Sequence, residues 1–236
     1  STDLVVQETQ LLKMPNLADT LEHLAREGED LFYRGEMGVM LADQMQQGGH
    51  LTREDLIAYS VYIRDPLVSR YRDHQLITNS PPSSGGILIN FALQLLQAFP
   101  TRAAKDSERL LNLISIMDAT NQARVEAAVI AGQTPTTDPL LEPALIARYQ
   151  QQVLGRRKAN RGTTHISVID AEQNLAAMTV SNGEGCGYMA PGCGFMLNNM
   201  LGEEDLNPNG FHQWLSNQRM TSMMAPSIVN YSGSRS

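Results

Sequence analysis

The sequence predicts an α+β fold. Apolar residues recur at intervals of three and four through most of the chain before Thr163, and β-branched residues gather into paired strands after it. With 236 residues, 42% hydrophobic and 18% charged, there is enough apolar side chain for a packed core, which excludes disordered, collagenous and coiled-coil proteins. The division expected is a mostly helical segment over 1–162 and a strand-rich segment over 163–236.

From Asn16 to Glu27 the stripe Leu17, Leu21, Leu24 marks a helix, and Met37, Met40, Leu41, Met45 mark another from Gly35 to Gln47. The second ends at Gly48-Gly49, where glycine can take a left-handed cap. Thr52 then stands as an N-cap with Glu54 and Asp55 in the first turn of a short helix to about Tyr59. Pro66–Tyr71 and His74–Asn79, separated by Arg72-Asp73, read as a hairpin whose turn lacks glycine.

Ser80-Pro81-Pro82-Ser83-Ser84-Gly85-Gly86 breaks the chain. Prolines fix φ and glycines allow close approach, so the segment reads as a rigid strand-to-helix turn, with the wall of a site as the alternative. Helices follow from Ile87 to Phe99 and from about Glu108 to Ile130, the latter with Leu110, Ile114 and Met117 on one face. A linker, Thr134 to Asp138, leads to a third helix interrupted by Pro143. The basic run Arg156 to Gly162 reads as a solvated loop. Thr164–Ile169 and Leu175–Val180 form an antiparallel pair about Asp170 to Asn174, followed by a glycine-rich loop from Gly183 to Gly194.

Eighteen Lys and Arg against 25 Asp and Glu give a net charge of −7 with no basic stripe, which argues against nucleic acid as a partner. No apolar run is long enough to span a bilayer, and Ser1 to Leu12 lacks the basic-then-apolar order of a signal peptide. Cys186 and Cys193 have no partner at zinc-ligand spacing, so neither a metal nor a cofactor is expected. The 12 methionines read as core filler.

The Gly-x-Ser-x-Gly elbow, His-Glu-x-x-His and the phosphate-binding Gly-x-x-x-x-Gly-Lys are all missing. What remains is Thr163, at a strand start behind a polar, glycine-ended loop. On composition alone a Thr-Thr pair there is β-propensity. If the bond before Thr163 were cut, however, the residue would carry a hydroxyl and an α-amine together. An α-amine titrates near 8, so about a tenth is unprotonated at neutral pH and can accept the hydroxyl proton: nucleophile and base in one residue.

Gly35 to Leu56, Tyr59, Pro66, Tyr71-Arg72, Ser80 to Gly86 and Thr163-Thr164-His165-Ile166-Ser167-Val168-Ile169-Asp170 resemble, in order and spacing, the γ-glutamyltransferase family of N-terminal-nucleophile hydrolases. The resemblance runs from about Phe32 to Val229 and is weakest from Thr101 to Ala159, and the chain looks like a middle segment of a longer precursor. It implies part of a four-layer αββα sandwich, self-cleavage between Gly162 and Thr163, and Thr163 as the nucleophile of an acyl-enzyme. The two segments would stay associated after the cut, with a γ-glutamyl compound such as glutathione as donor and water or an amine as acceptor. A periplasmic or secreted location is what the family suggests.

By the same resemblance Ser181 in Thr179-Val180-Ser181-Asn182 orients the nucleophile, and Asn182 contacts substrate; turn residues are the alternative. Within Asn198 to Asp205, Glu203 fits the spacing and Asp205 the chemistry of the acid that holds the donor's α-ammonium. Thr221 and Ser222, in Arg219 to Pro226, supply the paired hydroxyls that bind the α-carboxylate. The family's carboxylate-binding arginine belongs to an earlier segment. Of its oxyanion-binding glycine pair only Gly233 has a counterpart, beside Tyr231 to Ser236. Two other readings stay open: an acylase for another amide, such as a β-lactam side chain or poly-γ-glutamate, and a family member that binds without turnover.

Overall fold

The N-cap foreseen at Thr52 forms, and as a full capping box: its hydroxyl accepts the Asp55 N–H, and the Asp55 carboxylate accepts the Thr52 N–H at 2.9 Å. A bond from the Thr52 hydroxyl to the Asp55 carboxylate at 2.7 Å, with that from the Thr52 N–H, holds the Asp55 carboxyl below its ordinary range. In this computed structural model, which describes residues 11–99, 106–131, 139–152, 163–183, 185–207 and 210–231, that helix is α4 (Arg53–Ala58). Before it come α1 (Pro15–Glu27), α2 (Asp30–Tyr33) and α3 (Glu36–Met45). The four-residue α2 has too few residues for a periodic signal and was not foreseen.

Strands β1 (Leu67–Tyr71) and β2 (His74–Thr78) form the expected hairpin, Leu67 opposite Thr78 and Tyr71 opposite His74. Its turn needs no glycine because Arg72 itself takes φ +54°. Helices α5 (Ser84–Leu96), α6 (Asp106–Ala131) and α7 (Pro143–Gln152) follow. Pro143 opens α7 rather than interrupting it, since the first helical position needs no N–H donor. Then come β3 (Thr164–Ile169), β4 (Leu175–Val180) and, unforeseen, β5 (Ser227–Tyr231). The described strands make a three-stranded antiparallel sheet, β1-β2-β5, and the two-stranded β3-β4.

The chain divides into two compact units, Ser1–Ile63 with Gly185–Asn198, and Arg64–Glu184 with Asn199–Ser236. The first packs Met37 and Leu41 of α3 against Ala190 and Cys193 of the glycine-rich loop. Thr20 is tied into it by a 2.9 Å bond to the Cys193 carbonyl, and burial pushes the Cys193 thiol up.

The core of the second unit joins Ile87, Leu88, Phe91 and Leu95 of α5 to Ile116, Ala119, Ala123 and Ala127 of α6, closed by Leu145 and Tyr149 of α7. The packed face of α6 is therefore its alanine stripe, which lets the helices approach closely. Leu110 and Met117, on the face singled out by periodicity, are 59% and 70% exposed. The methionines also depart from expectation: Met37, still 9% exposed, is the most buried methionine among the described residues, and several stand on the surface or line a cavity. Arg148 and the Tyr149 hydroxyl both donate to Glu126, holding its carboxyl below the usual range and locking α7 to α6.

Phe91, fully buried and edge-on to Tyr149 with ring centroids 5.7 Å apart, is the keystone of this core. Phe91→Ala is expected to cost about 3 to 5 kcal/mol, read as a lowered midpoint in urea at unchanged slope.

Candidate active site

The β3-β4 hairpin aligns several of the polar residues singled out in the sequence. Its turn is held by the Asp170 carboxylate, which accepts the Asn174 N–H and side-chain amide, both at 2.8 Å; these bonds lower the Asp170 carboxyl. With the turn fixed, Ile169 faces Leu175 and Thr164 faces Val180. One further step in that register sets Thr163 opposite Ser181. Side chains alternate along a strand, so His165 and Ser167 share the face of Thr163, and Thr179 that of Ser181. Contacts agree: His165 Nδ1 lies 2.8 Å from Thr179 Oγ1 and Nε2 lies 2.9 Å from Ser167 Oγ. One ring nitrogen must donate and the other accept in the neutral imidazole, so the two hydroxyls orient the ring.

This face forms one wall of a cavity of about 640 Å³, with Thr163, His165, Thr179 and Ser181 on it. All its wall residues belong to the second unit. Ser181 Oγ accepts the Gly183 N–H at 3.1 Å, which leaves the hydroxyl proton to donate elsewhere.

Glu203 lines a second wall. It sits between two short 3-10 turns, Met200–Gly202 and Glu204–Leu206. Buried Asn207 secures this loop, donating to the carbonyls of Leu201 at 2.9 Å and Glu203 at 2.7 Å while accepting from the Trp214 indole at 2.9 Å. Gly183, at φ +64°, is pressed against the Glu203 carboxylate: a Cβ there would stand 2.5 Å from Oε1.

Ser222, Met223, Met224 and Ala225 supply a third wall. The Ser222 hydroxyl accepts the Met224 N–H at 3.1 Å, again leaving its own proton to donate. With Met200 and Leu206, this side of the cavity is markedly apolar.

Of the residues singled out in the sequence, the cavity thus brings together Thr163, Ser181, Glu203 and Ser222. Asn182 is exposed beside it, its carbonyl accepting the Asn199 N–H at 2.9 Å, and half-buried Thr221 does not line it. Asp205 has its backbone in the second 3-10 turn, but its side chain, like Gly162 and Gly233, lies outside the described residues. His165, Thr179 and Gly183 were given no role from the sequence. The signal for the first two was available: a strand period of two about the Asp170 to Asn174 turn puts them beside Thr163 and Ser181.

Among the described residues no group of His, Cys, Asp and Glu could hold a metal ion, and no helix is long and apolar enough to cross a membrane. In sequence, the chain is 27% identical to a glutathione hydrolase proenzyme of Bacillus subtilis, covering 95% of this chain and 44% of that protein. It is 32% identical to one of Pseudomonas aeruginosa, covering 93% and 44%. In structure, it superposes on a cephalosporin acylase from Bacillus halodurans with a TM-score of 0.76 at 18% identity, over 95% of this chain and 43% of that one. The chain thus spans less than half the length of the curated relatives named, and it carries part of the N-terminal-nucleophile hydrolase fold. The family model for gamma-glutamyltranspeptidase matches residues 1–236, and the chain belongs to that family.

Proposed function

We propose that this protein cuts itself between Gly162 and Thr163 and then hydrolyses or transfers the γ-glutamyl group of compounds such as glutathione through Thr163. The observation that carries this reading is the single cavity shared by Thr163, Ser181, Glu203 and Ser222. After scission, the Thr163 α-amine takes the hydroxyl proton as Oγ attacks the γ-carbonyl, and the proton passes to the departing amine as the acyl-enzyme forms. Ser181 donates to Thr163 Oγ and fixes its direction of attack. Water or an acceptor amine, deprotonated by the same α-amine, then releases the acyl group.

The donor is held by its head group, with Glu203 at the α-ammonium and the Ser222 hydroxyl at the α-carboxylate; Asn182, Asp205 and Thr221 are supporting candidates nearby in sequence. The segments 1–162 and 163–236 stay together after the cut because their backbones are paired: β2 precedes the scissile bond, β5 follows it, and the two match Thr78 to Ser227 and His74 to Tyr231. A mass spectrum of protein held at neutral pH tests maturation. Two pieces meeting at Thr163 are expected, and an intact chain that still hydrolyses a γ-glutamyl anilide would overturn the reading.

Ser181→Ala is expected to lower kcat on a γ-glutamyl anilide by about tenfold, the equivalent of one good hydrogen bond, with little change in thermal midpoint. An unchanged kcat would return Ser181 to a turn role. A second reading, an acylase for a less polar acyl group, has the apolar wall of Met200, Leu206, Met223 and Met224 in its favour.

A further inference from the structure

Behind the third wall of the cavity, a polar network joins Ser80 to Gly86 with Ser222 to Met224. The Ser222 carbonyl accepts the backbone N–H of Ser84 at 2.9 Å and of Gly85 at 3.2 Å, the opening amides of α5. The Ser84 hydroxyl lies 3.1 Å from the same oxygen and 3.2 Å from Met223 Sδ. Buried Ser83 reaches the carbonyls of Ser222 and Met224, and Asn79 Nδ2 donates to Ser83 Oγ at 2.6 Å and to the Met224 carbonyl at 2.9 Å.

The fit is tight as well as polar. A Cβ on Gly85 would stand 2.2 Å from the Met223 carbonyl oxygen, so only glycine lets the helix end come this close. Donors that satisfy one backbone carbonyl from two or three sides fix the peptide plane it belongs to. Here that plane follows Ser222, and the Met224 N–H that anchors the Ser222 hydroxyl at 3.1 Å lies one peptide further along the same gripped segment.

We propose that Ser84 is a positioning residue for recognition of the donor's α-carboxylate, acting through Ser222. This rests on the γ-glutamyl reading above and adds to it the element that aims the carboxylate-binding hydroxyl. Carboxylate binding acts on ground and transition states alike, so its loss appears in KM more than in kcat.

Two variants of the matured protein test it. Ser84→Ala removes the hydroxyl alone. Ser84→Pro also removes the N–H and pushes a ring carbon at the Ser222 carbonyl, yet proline is tolerated at a first helical position, and Ser83, at φ −68° and ψ 122°, already has the conformation required before it. Each variant is assayed on a γ-glutamyl anilide and on its 4-aminobutyryl counterpart, which lacks only the α-carboxylate. On the first donor KM is expected to rise about threefold in Ser84→Ala and about tenfold or more in Ser84→Pro, with kcat/KM on the second unchanged.

Equal losses on both donors, or no loss on either, would overturn the assignment to Ser84 while leaving the γ-glutamyl reading in place. If Ser84→Pro does not mature, the donor-selective effect in Ser84→Ala decides. A wild type that treats both donors alike overturns the γ-glutamyl reading itself, and this proposal with it.

Discussion

Thr163→Ala leaves a single uncut chain and lowers hydrolysis of a γ-glutamyl anilide by about a thousandfold or more, the scale expected when a nucleophile is deleted. Both effects come from one atom. Scission requires Thr163 Oγ to attack the carbonyl of Gly162, and turnover requires the same oxygen to attack the donor, so alanine blocks the two steps together. Thr163→Ser keeps an oxygen in place and should still cut, more slowly, because serine lacks the methyl group that restricts χ1 in threonine. Electrophoresis over days separates these outcomes. Cleavage persisting in the alanine variant would reject processing by this residue.

The hairpin explains why one hydroxyl among many in the chain is expected to be reactive. Extending the β3-β4 register sets Thr163 opposite Ser181, whose oxygen is already engaged by the Gly183 N–H. That leaves the Ser181 proton free to donate, and in the function proposed above its acceptor is Thr163, one step along the register. The hairpin was legible in the sequence because it is local, two strands of period two and a five-residue turn, Asp170 to Asn174, whereas the roles expected of Thr163 and Ser181 came from the family resemblance and not from that register. The helices α1, α3 and α4 were legible for the same reason, as their stripes and caps lie within a few residues.

What escaped sequence reading depends on contacts between distant positions. Strand β5 is specified by its pairing with β2, some 150 residues earlier, and a five-residue stretch carries little strand signal alone. The buried face of α6 is set by the alanines that admit α5, whereas periodicity favoured the larger residues Leu110 and Met117. Ser80 to Gly86 was readable as a rigid turn and, less readily, as a site wall. It does not line the cavity, but its serines and the α5 amides grip the Ser222 carbonyl behind that wall.

Glu203 is the residue on which donor selectivity should turn. The sequence left it level with Asp205, one matching the spacing and the other the chemistry. Glu203 faces the cavity with its carboxylate against Gly183, in a loop held by Asn207, and stands among the same walls as Ser222. An acid and a hydroxyl donor around one cavity suit the ammonium and carboxylate of a free amino acid head group. A ligand lacking the ammonium leaves that carboxylate half-buried and unpaired.

Wild type is therefore expected to prefer a γ-glutamyl anilide over its glutaryl analogue, which lacks only the amine, by about thirtyfold to a hundredfold in kcat/KM, the scale of a charge-assisted hydrogen bond of about 2 to 3 kcal/mol. Glu203→Gln should remove most of that preference by slowing the γ-glutamyl substrate, and Asp205→Asn should leave it standing. Gly183→Ala gives an independent check: crowding Oε1 should displace the carboxylate and erode the same preference while leaving its charge intact. Collapse of selectivity in Asp205→Asn alone would transfer the role to that residue. Equal rates on both anilides in wild type would move the protein to the acylase reading, in which the apolar wall of Met200, Met223 and Met224 holds the acyl chain and the head group plays no part.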